Sequence, residues 1–324
     1  METITIFGEN RFDAHSRVRV ACRGIVVRDG MILLTYEVNS DQWFIPGGGL
    51  EKGDIKEILQ YAGSDAATGL PAGSLADGEF MDAYSKILAD KIRAATGLEK
   101  PLEGFRIVVD AGNGAGGFYV DKVLKPLGAN TEGSRYLDPD GSFPNHIPNP
   151  EDKTAMAAIT EAVNTAKADL GIIFDTDVDR AGAVLSDGSE LNRNRIIAML
   201  SAILLREHPG TTIVTDSITS SGLKTFIEKD LGGQHMRFKR GYKNVINEAI
   251  RLNNEGIYTP VAIETSAHGA LKENYFLDDG AYLCTKIIIK MAQLRKEGKD
   301  IAERMAKARA EKNSLKNRIK RLFK

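Results

Sequence analysis

The sequence predicts an α/β fold: two layered α/β domains, preceded by a small β-rich fragment and followed by a basic helical tail. Three observations carry that expectation. Segments that read as strands at residues 105–110, 170–174, 212–215 and 261–264 alternate with helical stretches near Lys122 and at 155–168, 195–206, 223–229, 243–252 and 281–296, and such alternation implies sheets covered by crossover helices. The run at 170–174 passes directly into an acidic loop, at the carboxyl end of a strand where open α/β sheets bind ligands. A chain of 324 residues, 42% hydrophobic with a formal net charge of -1, is ordinary for a globular protein of two or three domains.

In chain order, residues 18–27 read as strand-rich, Arg28-Asp29-Gly30 as a hairpin turn and residues 31–36 as a second strand. Gln42-Trp43-Phe44-Ile45-Pro46-Gly47-Gly48-Gly49-Leu50-Glu51 reads as a strand entering a glycine loop. From 51 to 97 the pattern is a helix, a polar glycine-containing loop and a second helix. The expected divisions are an N-terminal fragment at 1–51, a helical connector at 52–100, α/β domains at 101–207 and 208–299, and a tail at 300–324. From residue 295 onward there are 12 Lys and Arg against 4 Asp and Glu. Ile301, Met305, Ala308, Leu315, Ile319 and Leu322 give that stretch one apolar stripe. It reads first as a helix docking on the chain's own acidic body, ahead of nucleic acid or an anionic membrane.

The acidic loop is the chemical centre of the sequence. In Ile172-Ile173-Phe174-Asp175-Thr176-Asp177-Val178-Asp179-Arg180, three carboxylates take alternate positions after an apolar strand. Like charges so spaced repel unless a divalent ion bridges them, and oxygen-only ligands suit Mg²⁺ or Ca²⁺ rather than zinc. An EF-hand is excluded, because Arg180 stands where the sharp-turn glycine belongs and Ser186 where the bidentate glutamate belongs. A solvated acidic turn is the alternative.

Residues 175–180 resemble the metal loop of the phosphohexomutases, the phosphoglucomutase and phosphomannomutase enzymes. Ile263-Glu264-Thr265-Ser266-Ala267-His268 is similar to that family's sugar-recognition loop, with Ala267 where the family has glycine; a positive φ there would strain an alanine. Three further segments resemble family segments in family order: Ile107-Val108-Val109-Asp110-Ala111-Gly112-Asn113-Gly114-Ala115-Gly116-Gly117, Phe143-Pro144-Asn145-His146-Ile147-Pro148-Asn149-Pro150 and Arg240-Gly241-Tyr242-Lys243. The resemblance covers residues 48–299 and corresponds to the family's second and third domains.

It implies one Mg²⁺ on Asp175, Asp177 and Asp179, and Arg180 orienting the transferring phosphate. Glu264, Ser266 and His268 would read the sugar, with Lys243 and Arg240 assisting at the phosphate. The implied ligands are glucose or mannose 1- and 6-phosphates, and the implied reaction is phosphoryl transfer between their two positions. Glu264 can accept from two vicinal hydroxyls, and the cations can face a phosphate dianion.

The family's phosphoserine loop, of Thr-Ala-Ser-His-Asn-Pro type, and its fourth-domain Arg-x-Ser-Gly-Thr-Glu-Pro clamp have no counterpart in this sequence. Impaired catalysis is therefore expected, and a connector that packs loosely. The N-terminal fragment resembles the start of a Nudix hydrolase. Counting from Gly48, however, Asp54, Ala62-Gly63 and Ala66-Ala67 occupy that family's metal-carboxylate positions, so Nudix hydrolysis is not expected. Gly48-Gly49-Leu50-Glu51 suits both families, which suggests a fusion.

A rival reading comes from Gly112-Asn113-Gly114-Ala115-Gly116-Gly117, which matches the dinucleotide fingerprint, with Glu132 at the spacing of the ribose carboxylate. Asp110 would then lie against a pyrophosphate, which like charge disfavours, and a structural turn is expected instead. Cys22 and Cys284 give neither a disulfide framework nor a metal spacing. No apolar run reaches membrane-spanning length and the N-terminus lacks a signal-peptide pattern, so a cytoplasmic location is expected, with no membrane or nucleic-acid partner.

Overall fold

A computed structural model describes residues 80–298 and, nearer the N-terminus, the backbone of six short strands between residues 21 and 49. The chain divides into two units, residues 1–77 and 78–324. In the first, β1 (Ala21–Arg23) pairs with β6 (Gly47–Gly49), β2 (Val27–Arg28) with β3 (Met31–Ile32), and β4 (Thr35–Glu37) with β5 (Gln42–Phe44), all antiparallel. Arg28 pairs with Met31; the turn expected at Asp29 and Gly30 lies outside the described residues. Of the strand expected at 31–36, residues 31–32 and 35–36 are described, and both lie in strands. The Nudix metal positions, the first connector helix and the tail at 300–324 lie outside the described residues.

The second unit opens with α1 (Phe80–Thr96), whose apolar face repeats at helical spacing through Leu88, Ala89 and Ile92, with Asp82 in its first turn and Arg93 in its last. Gly97, at φ 71°, ends it. Leu88 and Ile92 are 0% exposed. The expectation of a loosely packed connector is thus corrected for this helix, which is part of the core.

Two four-stranded sheets follow. Sheet one has the order β10 (Glu190–Leu191), β9 (Ala181–Leu185), β8 (Leu170–Phe174), β7 (Ile107–Asp110), with β7 and β8 parallel and the other pairs antiparallel. Sheet two has the order β12 (Gln234–Phe238), β11 (Thr212–Asp216), β13 (Val261–Ile263), β14 (Gly269–Leu271), with only the last pair antiparallel.

Alternation along β7 and β8 sorts their side chains to two cores. Val108 and Ile173 meet Ala155, Met156, Ile159 and Val163 of α2 (Lys153–Ala166). Ile107, Val109, Ile172 and Phe174 turn to the other face, into a core shared with Ile213, Val261 and Ile263 of sheet two. That shared core also contains α1, α3 (Asn194–Glu207) and α6 (Gly280–Lys296). After the short α4 (Ser221–Thr225), α5 (Tyr242–Asn254) covers the far face of sheet two through Val245 and Ala249. Each sheet therefore lies between helices, with one helical layer common to both. Among the described residues no helix is long and apolar enough to cross a membrane.

Candidate functional site

Strand β8 delivers the chain to Asp175, which is 1% exposed. Its Oδ1 accepts the Arg180 backbone N–H at 3.0 Å and its Oδ2 the Arg180 Nε–H at 2.8 Å, closing the loop on itself. One carboxylate oxygen from each of Asp175, Asp177 and Asp179 lies within 4.8 Å of the others. Burial first, then the neighbouring Asp179 carboxylate, push Asp175 up to about 6. Asp179 Oδ1 is buried with no hydrogen-bond partner; Arg180 Nε stands 3.7 Å away. A solvated turn would leave neither a buried carboxylate nor an orphaned oxygen. The all-oxygen donor set fits a hard divalent cation.

The loop's backbone is strained and braced. Val178 sits at φ 70°, a region a β-branched residue rarely enters, and its carbonyl accepts the Gly280 N–H at 2.9 Å. On the other side Ala115 N–H donates to the Thr176 carbonyl at 2.8 Å. A Cβ on Gly114 would lie 2.6 Å from that oxygen. The glycine run that resembled a dinucleotide fingerprint is therefore filled by the chain's own backbone, as the structural-turn reading expected. Asp110, at the end of β7, is engaged by buried His146, whose Nε2 lies 3.0 and 3.1 Å from its two oxygens.

In the second loop Glu264 Oε1 accepts the Gly241 N–H at 2.6 Å, and Ser266 Oγ lies 3.4 Å from Glu264 Oε2. Burial raises the Glu264 carboxyl above its ordinary value, partly offset by the Gly241 N–H. Thr265 Oγ1 donates to buried Asp216 at 2.7 Å, pinning the loop to the end of β11. Ala267 has φ 75°, the left-handed conformation that a glycine would take without strain.

His268 forms an isolated antiparallel bridge with Arg180, joining the two loops. Its Nδ1 is 2.7 Å from Asp278 Oδ2 and 3.5 Å from Asp179 Oδ2, and the Tyr242 ring stacks on it at 5.0 Å and 25°. Burial opposes a charge on this ring, but the Asp278 hydrogen bond and the charges of Asp278 and Asp179 hold it above its ordinary value.

Asp175, Asp177, Asp179, Arg180, Glu264, Ser266 and His268 thus belong to one connected set. Arg240 and Lys243 flank it, exposed, on either side of Gly241; among the described residues no carboxylate pairs with either. Sequence reading assigns no role to Asn149 or Tyr242 within their family-like segments, although Asn149 Oδ1 faces Arg180 Nη1 at 3.3 Å and Tyr242 stacks on His268, and it does not single out Asp216 or Asp278. The acidic pair before Gly280 was the only signal that could have found Asp278. Ser142 donates its hydroxyl to Asp140 within its own exposed loop at 2.7 Å.

The acidic loop and strands β7, β8 and β9 lie in residues 79–188, which match the family model for phosphoglucomutase/phosphomannomutase alpha/beta/alpha domain II, and residues 192–309 match the model for domain III. The chain belongs to the phosphoglucomutase/phosphomannomutase family. The phosphoglucomutase of Neisseria gonorrhoeae is 29% identical over 254 residues, 78% of this chain and 52% of that protein. The phosphomannomutase/phosphoglucomutase of Pseudomonas syringae pv. tomato is 30% identical over 232 residues, 71% of this chain and 47% of that one. The chain spans about half the length of these curated relatives. A phosphoglucomutase/phosphomannomutase family protein from Burkholderia thailandensis shares the fold, with a TM-score of 0.61 at 24% identity over 84% of this chain and 59% of that one. In the family's terms, the acidic loop is a domain II feature and the Glu264–His268 loop a domain III feature.

Proposed function

We propose that the chain supplies the metal-holding and sugar-reading half of a hexose-phosphate mutase site. The observation that carries this reading is the Arg180–His268 bridge, which sets the acidic loop of domain II against the Glu264-containing loop of domain III. Asp175, Asp177 and Asp179 would hold Mg²⁺, which when bound neutralises charge on a phosphoryl group. Arg180 offers a planar guanidinium for orienting phosphate oxygens. Glu264, Ser266 and His268 present acceptors to the sugar hydroxyls, and Arg240 and Lys243 present donors to a phosphate dianion. The ligands are glucose or mannose 1- and 6-phosphate. Since no phosphoserine loop of the family type occurs in these 324 residues, we assign binding rather than turnover to the chain assayed as it stands.

Calorimetric titration with glucose 1-phosphate, with and without Mg²⁺, tests this. Binding should be measurable and stronger with Mg²⁺, and millimolar Mg²⁺ alone should raise the melting temperature by linkage. Asp177→Asn should shrink that rise. Absence of both binding and the Mg²⁺ shift would overturn the reading. We infer separately that residues 1–51 are a Nudix-type fragment fused to the mutase part; a continuous product when source DNA is amplified across codons 47–54 would support the join, and two separate genes would refute it.

A further inference from the structure

His268 is held by more than its own loop. Asp278 Oδ2 stands 2.7 Å from His268 Nδ1, and Asp278 Oδ1 accepts the Gly269 backbone N–H at 2.8 Å. The Asp278 backbone is itself bridged to Ala270, so the carboxylate cannot move away independently of β14. Both oxygens are therefore committed, and both take protons. An ionised carboxylate only accepts, so Nδ1 carries a proton whether the ring is charged or neutral. Asp179 Oδ2, 3.5 Å from the same nitrogen, favours the same assignment. Tyr242 covers one ring face. Among the described residues nothing bonds Nε2, which is the only ring nitrogen left for a ligand. A ring flip would break the Asp278 hydrogen bond and offer carbon in place of Nε2.

We propose that Asp278 is the positioning residue of the sugar-reading loop: it fixes the tautomer and rotation of His268 so that Nε2 faces the hexose phosphate. This inference rests on the hexose-phosphate reading for the identity of the ligand, but its structural half does not.

Asp278→Asn separates the two. The Gly269 N–H still requires an acceptor, so the amide oxygen takes that place and the NH₂ group faces Nδ1. Two donors cannot share one hydrogen bond, and the proton moves to Nε2. In the ¹⁵N-histidine-labelled chain, at alkaline pH where the ring is neutral, His268 should show Nδ1–H in the wild type and Nε2–H in Asp278→Asn. Its signals are identified among the five histidines by their loss in His268→Gln.

Unprotonated Nε2 accepts from a hexose hydroxyl in the wild type and carries a proton instead in Asp278→Asn, so glucose 1-phosphate should bind the variant weaker by about tenfold, as for one lost hydrogen bond. The same substitution made in His268→Gln should change affinity by less than about twofold, because the effect passes through the ring. An unchanged tautomer in Asp278→Asn would overturn the proposal. So would an inverted tautomer with undiminished binding, or an equal loss of affinity in both backgrounds, which is what a purely structural role produces. If the wild type binds no hexose phosphate, the functional reading falls, and the tautomer alone then decides whether Asp278 sets the ring.

Discussion

His235 is held by one hydrogen bond where it could make two. Its Nε2 lies 2.8 Å from Thr215 Oγ1, while Nδ1 is buried without a partner. Burial, then the Arg237 charge, push the ring down from 6.5 to about 4. The folded state therefore keeps it neutral while the unfolded chain takes up a proton near 6.5. As pH falls from 6.5 toward 4 the unfolded state binds more protons, and stability falls with it; above 6.5 the contribution is constant. His235→Gln keeps a donor toward Thr215 and removes the titration. The wild-type melting temperature should drop more steeply than that of His235→Gln across this window, and parallel curves would show that the ring titrates alike in both states. At the same scale, the acidic triad and the Glu264–His268 loop were legible because their functional atoms are neighbours in sequence. Asp278, Tyr242, Asn149 and Asp216 were not, because each acts on a residue brought near only by the sheets. Ala267 was legible as a conformational demand, and its φ of 75° meets it.

The amino end of α6 is the brace of the acidic loop. A Cβ on Gly280 would lie 2.6 Å from the Arg180 carbonyl carbon and 2.9 Å from the Val178 oxygen, both backbone atoms that cannot rotate away. Gly280→Ala should cost about 1–3 kcal/mol by overpacking and should also reduce the Mg²⁺-dependent rise in melting temperature, since Asp179 and Arg180 would be displaced. Gly256→Ala is the control: its φ is 83° but nothing lies within 4 Å of the added methyl. It should lower the melting temperature and leave the Mg²⁺ effect intact. Equal Mg²⁺ effects in both variants would remove the brace from the account. Elements differed in legibility for related reasons. β7, β8, β11 and β13 are buried on both faces, and each was legible through its apolar residues, only Ile213 and Val214 in the case of β11. β9 was missed because Ala181, Gly182 and Ala183 are too small to carry a strand signal. β12 was missed because it is an edge strand with Gln234, His235 and Arg237 half-exposed or exposed. The helix expected near Lys122 is a 3₁₀ turn, a π-helical turn at Tyr119–Leu124 and a second 3₁₀ turn containing Pro126.

Because one apolar core joins Ile172 and Phe174 of sheet one to Ile213 and Ile263 of sheet two, the two sheets should unfold together. Ile287→Ala in α6, at a site with 0% exposure, should cost about 2–5 kcal/mol. It should lower amide protection in both sheets alike; a loss confined to sheet two would mean that they unfold separately. A shared core also fixes the two loops relative to each other, and positioning of that kind supplies much of the rate in phosphoryl transfer. Positioning does not replace a group that accepts the phosphoryl and gives it back. The Ser142 hydroxyl is committed to Asp140, Ser266 Oγ faces Glu264 Oε2, and the family's serine loop is not among these 324 residues. Incubated with glucose 1-phosphate, the 1,6-bisphosphate and Mg²⁺, the chain should form no glucose 6-phosphate detectable by ³¹P spectroscopy, while Mg²⁺-dependent binding persists. Product that appears in the wild type and disappears when Asp175, Asp177 and Asp179 are all changed to Ala would refute this. Another hydroxyl would then be carrying the phosphoryl group, and loss of product in Ser142→Ala would identify it.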